Sequence, residues 1–337
     1  MDNILVIKLG ALGDVVRTLS VVKAIKQSNK GSKITWVAKE ESRELLENVN
    51  FINSVHSYPF KKDMHFDFLY NFDIEDSATE LASKINAGKK YGFYKKDGFL
   101  QSFNLGSEYY LNTVFDDELK KSNKKTYQEM MFEVAELKYK KELVEISVPE
   151  KYKKYSSDFI KRNNIKKGNL IGIHTGASIR WPSKSWAENK IIEFIKKLKN
   201  SGYQVLLFGG FNEVERNRRI EIELNNSGIS IYKNDPNNSS LEFISLVSLC
   251  KFMVCADSFA LHVALALRKS TIGLFFCTSP KEVESYGLLK KLISPKLNDF
   301  FPARMNEYDE DLTNSISVDE AFKAIINLNG SSTGKST

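Results

Sequence analysis

The chain has 337 residues, with 49 Lys and Arg against 42 Asp and Glu, a net charge of +7 and a pI near 9.0. Hydrophobic residues at 42%, aromatic residues at 12% and only 18 Gly and 7 Pro exclude collagen-like, mucin-like and disordered classes, and the length suffices for two domains with real cores. Cys250, Cys255 and Cys277 show neither a disulfide framework nor zinc-ligand spacing and read as buried thiols, and no run approaches the roughly 18 apolar residues of a membrane span.

The chain opens with a strand over 4–9. It is a poor signal peptide, because an acid precedes the short apolar run and Lys8 and Asp14 break its continuation, so a cytoplasmic protein is expected. Gly10 and Gly13 bound a turn, and a helix pattern begins at Asp14 with apolar residues at Val15, Val16, Leu19, Val22 and Ile25. Strands are expected over 33–38, 54–58 and 66–72, and helices over 42–48 and 78–85. Between about 95 and 125 the pattern weakens to loops and short elements, and 126–137 reads as a helix. Pro149 and the polar run after it read as a linker plus one helix. A second alternation comes next, with strands over 170–174, 204–208, 230–232, 252–256 and 271–276. Its helices fall over 185–201, 213–225, 241–249, 259–267 and 318–328. Such alternation specifies parallel sheets covered on both faces. The expected architecture is α/β, with one domain over 1–150, a linker over 151–168, a second domain over 169–330 and a polar tail over 331–337. The last helix could pack back on the first domain. Two domains of this kind face a central cleft, and ligands sit at strand carboxyl ends.

Four strand-end segments carry the chemistry. Residues 8–14 (KLGALGD) lack both the GxGxxG of a dinucleotide site and the Gly-Lys-Ser/Thr of a P-loop. Asp14 there is either a helix cap, which the local pattern favours, or a general base. Residues 175–186 combine Thr175, Gly176, Arg180 and Lys184 after a strand, either a phosphate site or a surface loop over packed Trp. In 208–213, Glu213 could accept hydrogen bonds from a ribose, or simply favour the helix dipole. Asp257 and Ser258 close a strand just before Phe259, Ala260 and His262, either an anion site at a helix start or an N-cap with a core histidine. Asp67, Asp73, Glu75 and Asp76 read as solvated loop carboxylates, and no metal site is expected.

In order, these segments resemble glycosyltransferase family nine, the family of the ADP-heptose:lipopolysaccharide heptosyltransferases. The opening 4–19 is similar to the family's start, Lys184-Ser185-Trp186 to its Lys-x-Trp segment, and Asp257-Ser258 with His262 and Ala264 to its Asp-Thr/Ser-Gly-x-x-His-x-Ala signature. The stretch 278–280 resembles the next strand-end turn, and 123–129 a segment of one subgroup. The resemblance implies a GT-B fold of two Rossmann-like domains and an inverting, metal-independent glycosyltransferase without a cofactor. It implies Asp14 as the base on the acceptor hydroxyl, beside Gly13. Lys184 and the helix start at Ser258–Ala260 would stabilise the leaving diphosphate. Thr175 and Gly176 would contact the same phosphates, Glu213 the ribose, and Asp257 and His262 would lie beside the sugar-diphosphate. Phe259 departs from the family's Gly, and His174-Thr175 from its small strand end, so ADP-heptose is the default donor. The alternatives are another nucleotide sugar or a non-catalytic nucleotide-sugar-binding protein.

The acceptor, a lipopolysaccharide core or related glycan or glycolipid, would meet the first domain near Lys61, Lys62 and 89–96. A nicotinamide oxidoreductase lacks its fingerprint, and no aromatic-basic platform points to nucleic acid. Residues 120–167 hold 14 Lys and Arg against 7 Asp and Glu, which equals the whole net charge. That segment is either a solvated linker or a contact with an anionic inner-membrane face.

Overall fold

The computed structural model describes residues 1–61, 64–166 and 168–333. The chain forms two compact units, one of residues 1–147 with 281–284, the other of 148–280 with 285–337.

The first unit contains β1 (Asn3–Ile7), α1 (Leu12–Ser28), β2 (Lys33–Ala38), α2 (Glu40–Glu47), β3 (Ser54–Ser57) and β4 (Phe66–Asn71). It continues with α3 (Asp76–Lys84), β5 (Ala87–Lys96), β6 (Phe99–Ser102), α4 (Glu108–Phe115), α5 (Asp117–Ser122) and α6 (Tyr127–Val134). The second begins with α7 (Glu150–Arg162), β7 (Leu170–His174), α8 (Glu188–Asn200), β8 (Gln204–Phe208), α9 (Val214–Asn226), β9 (Tyr232–Lys233) and α10 (Ser240–Leu249). It ends with β10 (Phe252–Ala256), α11 (Phe259–Ala266), β11 (Ser270–Phe275), β12 (Leu289–Ile293), α12 (Leu297–Phe300), α13 (Glu310–Asn314) and α14 (Val318–Thr333).

The two sheets share one topology. The first runs β3-β2-β1-β4-β5-β6 and the second β9-β8-β7-β10-β11-β12. Each is the order third, second, first, fourth, fifth, sixth of a Rossmann sheet. All pairings are parallel except β5 with β6. The central strands are apolar because helices cover both their faces: Ile4 to Ile7 of β1 and Phe252 to Ala256 of β10 are buried throughout. α11 is buried over Ala260–Ala266, so its sequence shows no polar face.

The stretch 89–96, expected as a lysine-bearing loop, is most of β5, a ten-residue strand with a polar sequence. It forms because its rings pack across the sheet, Tyr91 stacking on Tyr70 at 4.6 Å, while Lys89 lies over the Tyr91 ring. Lys62, named with it, lies outside the described residues. The segment 151–168 carries the one helix expected with the linker: α7 occupies most of it and packs on α10 of its own unit. The last helix sends Val318, Ala321, Ala324 and Ile325 into the second unit's core and packs against α8, β11 and β12. It extends to Thr333, so the expected tail is helical at its start, and 334–337 lie outside the described residues. The cysteines are free and buried, as expected.

Because Ile325 is fully buried in that core, Ile325→Ala should cost about 2–4 kcal/mol of stability in chemical denaturation. A loss under about 1 kcal/mol would mean that α14 does not seal the second unit.

Candidate active site

In each sheet the strand order reverses beside the first strand, and the chain ends diverging there leave a crevice for polar groups. In the first unit this point lies between β1 and β4. Lys8 leaves β1 and is buried. Its Nζ donates to Phe72 O at 2.9 Å and lies 3.6 Å from Asp73 Oδ2. Asp73 Oδ2 also accepts from Leu9 N at 2.8 Å, and Oδ1 from Glu75 N at 3.1 Å. Asn71 closes the turn by accepting from Asp73 N. Burial opposes the charge on Lys8, but Asp73, Tyr127, Asp14 and Tyr110 outweigh it and hold the ammonium protonated well beyond the ordinary lysine range. Asp73 is therefore not the solvated carboxylate its sequence context suggested. A buried ammonium requires a buried anion, and Asp73 supplies it.

Asp14 is not a helix cap. α1 starts at Leu12, and Ala11 at its N-cap makes no side-chain capping bond. Asp14 sits in the first turn beside buried Gly13, and its Oδ1 lies 2.6 Å from an Arg17 guanidinium nitrogen. That guanidinium lies 3.7 Å from the centre of the Tyr127 ring. Thr18 Oγ1 donates to Asp14 O at 2.7 Å and accepts from the Tyr127 hydroxyl at 3.0 Å. Segment 123–129 places this ring: Asn123 folds the turn by accepting from Lys125 N, and Thr126 with Glu129 forms a capping box that starts α6 at Tyr127. Tyr110 meets Tyr127 edge-on at 6.2 Å, and burial pushes its hydroxyl well above the usual tyrosine range.

In the second unit the reversal lies between β7 and β10. Lys184, in the turn before α8, is buried, with Nζ 3.2 Å from Asp257 Oδ2 and 4.6 Å from the Trp181 ring centre. Asp257 Oδ1 lies 3.6 Å from His262 Nε2, so the three side chains form one cluster at the end of β10. Cys277 lies in the same electrostatic field: burial first, then Asp257 against Lys184, pushes its thiol up to about 11. Ser258 does not cap α11. Its hydroxyl turns back to donate to Ala256 O at 3.1 Å, so Ala260 and its neighbours start the helix without a side-chain cap. Phe259 stacks on Phe243 at 5.4 Å, and Phe243 meets His174 edge-on at 5.9 Å.

Gly176 and Glu213 belong together. A Cβ on Gly176 would stand 2.5 Å from Glu213 Cδ, so a larger residue there would displace that carboxylate from its present position. Glu213 Oε2 is fixed by Gly210 N at 2.8 Å. Thr175, expected at the phosphates, is instead buried, its hydroxyl donating to Asn217 Oδ1 at 2.7 Å. Arg216 holds the same loop from beneath, donating to the carbonyls of Thr175 and Trp186.

Motif reasoning missed Lys8, Arg17, Asp73, Tyr127, Arg216 and Phe243. Only Lys8 carried a visible signal, a charge directly after four buried aliphatic residues. Among the described residues, no three His, Cys, Asp or Glu side chains are grouped to hold a metal, and no helix is long and apolar enough to cross a membrane.

Two Rossmann-ordered units in one chain, each with charged side chains gathered at its reversal, define the GT-B class of fold. The sequence model of glycosyltransferase family 9 (heptosyltransferase) matches residues 63–303, and the chain belongs to that family. Lipopolysaccharide heptosyltransferase 2 of Salmonella typhimurium is 36% identical over 112 residues, 33% of this chain and 32% of that protein, so the match spans about a third of that relative. Lipopolysaccharide heptosyltransferase 1 of Campylobacter coli is 26% identical over 298 residues, 82% of this chain and 84% of that protein. The solved structure of Escherichia coli ADP-heptose lps heptosyltransferase II is 19% identical, with a TM-score of 0.69 over 97% of this chain and 99% of that one.

His174 provides a test of the second unit's geometry. Its Nδ1 donates to Gly176 O at 3.1 Å, and burial, with Arg216 adding to it, lowers its pKa from 6.5 to about 4. The unfolded chain therefore binds this proton first, so the stability from neutral His174 is complete above pH 6.5 and is lost as pH falls toward 4. His174→Gln should flatten the acid side of the stability profile by about 3 kcal/mol in denaturation series between pH 7 and 4. An unchanged acid limb would remove His174 as its source.

Proposed function

We propose that this chain is an inverting, metal-independent glycosyltransferase that moves heptose from ADP-heptose to a lipopolysaccharide core or related glycan. The observation that carries the reading is Asp14: a carboxylate at the end of a central strand, one-third exposed and flanked by Arg17 and Lys8, on a chain of family 9. Flanking cations keep a carboxylate ionised, as a base must be before it takes a proton. Asp14 accepts the proton of the acceptor hydroxyl as that oxygen attacks the anomeric carbon and the ADP oxygen departs from the opposite face.

The second unit holds the donor. Lys184 and the first turn of α11 stabilise the charge growing on the leaving diphosphate. Asp257 keeps Lys184 in place and, with His262, borders the sugar-diphosphate. The stacking of Phe259 on Phe243 draws its ring aside and supports phosphate approach to the helix start. Glu213, set over Gly176, takes the ribose hydroxyls. Thr175 acts through its backbone, since its hydroxyl is already committed to Asn217. The names of the relatives support ADP-heptose as donor and lipopolysaccharide as acceptor.

We place the enzyme at the cytoplasmic face of the inner membrane, where exposed lysines such as Lys124, Lys140, Lys151 and Lys154 would meet anionic lipid. Co-sedimentation with anionic vesicles should fall with rising salt; insensitivity to both lipid charge and salt would end that placement.

Asp14→Asn should lower transfer by at least about 100-fold while donor binding stays within a few-fold. Lys184→Ala should weaken donor binding and turnover together. Chelation by EDTA should leave the rate unchanged, and the product should carry the inverted anomeric configuration by NMR. In a thermal-shift panel of ADP-, UDP-, GDP- and CMP-sugars, the ADP-sugar should stabilise most. A larger shift with another nucleotide would reassign the donor, and full turnover by Asp14→Asn would overturn the base.

A further inference from the structure

We propose that Lys8 is a positioning residue for Asp14: a fixed ammonium beneath the Gly10 turn that keeps the Asp14 carboxylate ionised and oriented, with Asp73 as its anchor. The inference rests on the reading of Asp14 as the base.

The geometry begins at Gly10. A Cβ there would stand 3.2 Å from Asp14 Oδ2 and 3.3 Å from Lys8 Nζ, so carboxylate and ammonium both border one point that glycine leaves empty. Lys8 cannot leave. It is buried, it donates to Phe72 O, and its ion pair to Asp73 ties the end of β1 to the end of β4. Asp73 in turn is held by the Leu9 and Glu75 amides, so it fixes Lys8 without swinging onto it. Arg17 takes the other oxygen of Asp14 from the helix side, lying against Tyr127.

The charged and titratable groups around Asp14 are thus Arg17 on its own helix, Lys8 and Asp73 at the two strand ends, and Tyr127 and Tyr110 on α6 and α4. Their roles differ. Arg17 is part-exposed and lies against the Tyr127 ring. Lys8 is buried and pinned at both contacts, so its charge acts on Asp14 at every stage of turnover. Asp73 offsets part of that charge, which leaves Asp14 basic enough to receive a proton.

The two anchors therefore act on Asp14 with opposite sign. Lys8→Met removes the cation and should raise the acid limb of the kcat/KM profile by about one pH unit. Asp73→Asn removes the anion, exposes Asp14 to more of the Lys8 charge, and should move that limb downward. In Lys8→Met, kcat should fall about tenfold below the limb while donor KM stays within about twofold, since the donor residues are in the other unit. Lys8→Met leaves Asp73 buried without its cation and can misfold. The double variant Lys8→Met/Asp73→Asn removes both charges and should fold while keeping a limb raised by less than in Lys8→Met, since the loss of Asp73 offsets part of the shift. Limbs that stay in place in folded variants, or that move in the same direction, would overturn the proposal as a purely structural ion pair. Failure of the base reading is distinct: Asp14→Asn would then retain the limb itself.

Discussion

A parallel sheet covered by helices on both faces has no room for polar chemistry except at its strand ends. That constraint organises this molecule. Ile4 to Ile7 and Phe252 to Ala256 contain no charge because both faces of their strands are buried. Most charged groups of the two candidate sites appear within a few residues of a strand's carboxyl end or in a loop that returns to one, while Arg17 and Arg216 stand on α1 and α9. Each sheet also reverses its strand order beside its first strand, which separates two chain exits and exposes those ends.

The two reversals are furnished differently. In the first unit a lysine and an aspartate close the gap directly, Lys8 to Asp73, and the Asp14 carboxylate stands near them on α1. The charge there is buried deeply and satisfied from all sides. In the second unit the lysine comes from a loop, Lys184, and meets the strand-end acid Asp257, which also faces His262. A loop-borne cation can shift its partner when an anion arrives, whereas a strand-borne one cannot. Under the proposed function, this suits a first unit that aims a base and a second that accepts and releases a diphosphate.

The legibility of the sequence tracks the same division. Strands flanked by clean apolar periodicity were readable, β7, β8 and β10 to the residue, because burial on both faces leaves one solution. β5 was not, because its stability comes from cross-strand ring stacking rather than from alternation, and β12 was missed because Lys290 and Lys291 interrupt an edge strand of only five residues. Among site residues, Asp14, Lys184, Asp257 and Glu213 were visible as acids or cations at strand ends. Their partners were not. Tyr127 lies far along the chain from Asp14, five strands later, and no local pattern connects them. Asp73 read as solvated because its neighbours Glu75 and Asp76 are acidic, and only the fold reveals a lysine beneath it. Thr175 shows the same limit: its type suited a phosphate, but its hydroxyl donates to Asn217, a partner distant in sequence.

Phe259 shows how far such partners alter a motif. Taken alone, a phenylalanine in place of glycine at a helix start would obstruct a phosphate, since its Cβ and ring occupy the approach. In the fold its ring joins Phe243, which in turn meets Phe208 and the edge of His174. The larger side chain is therefore part of an aromatic layer spanning the ends of β7, β8 and β10. His174 is a member of that layer only while neutral, which its burial secures. The two departures from the family pattern, Phe259 and His174, thus share one neighbour: the ring of Phe243 stacks on the first and meets the second edge-on.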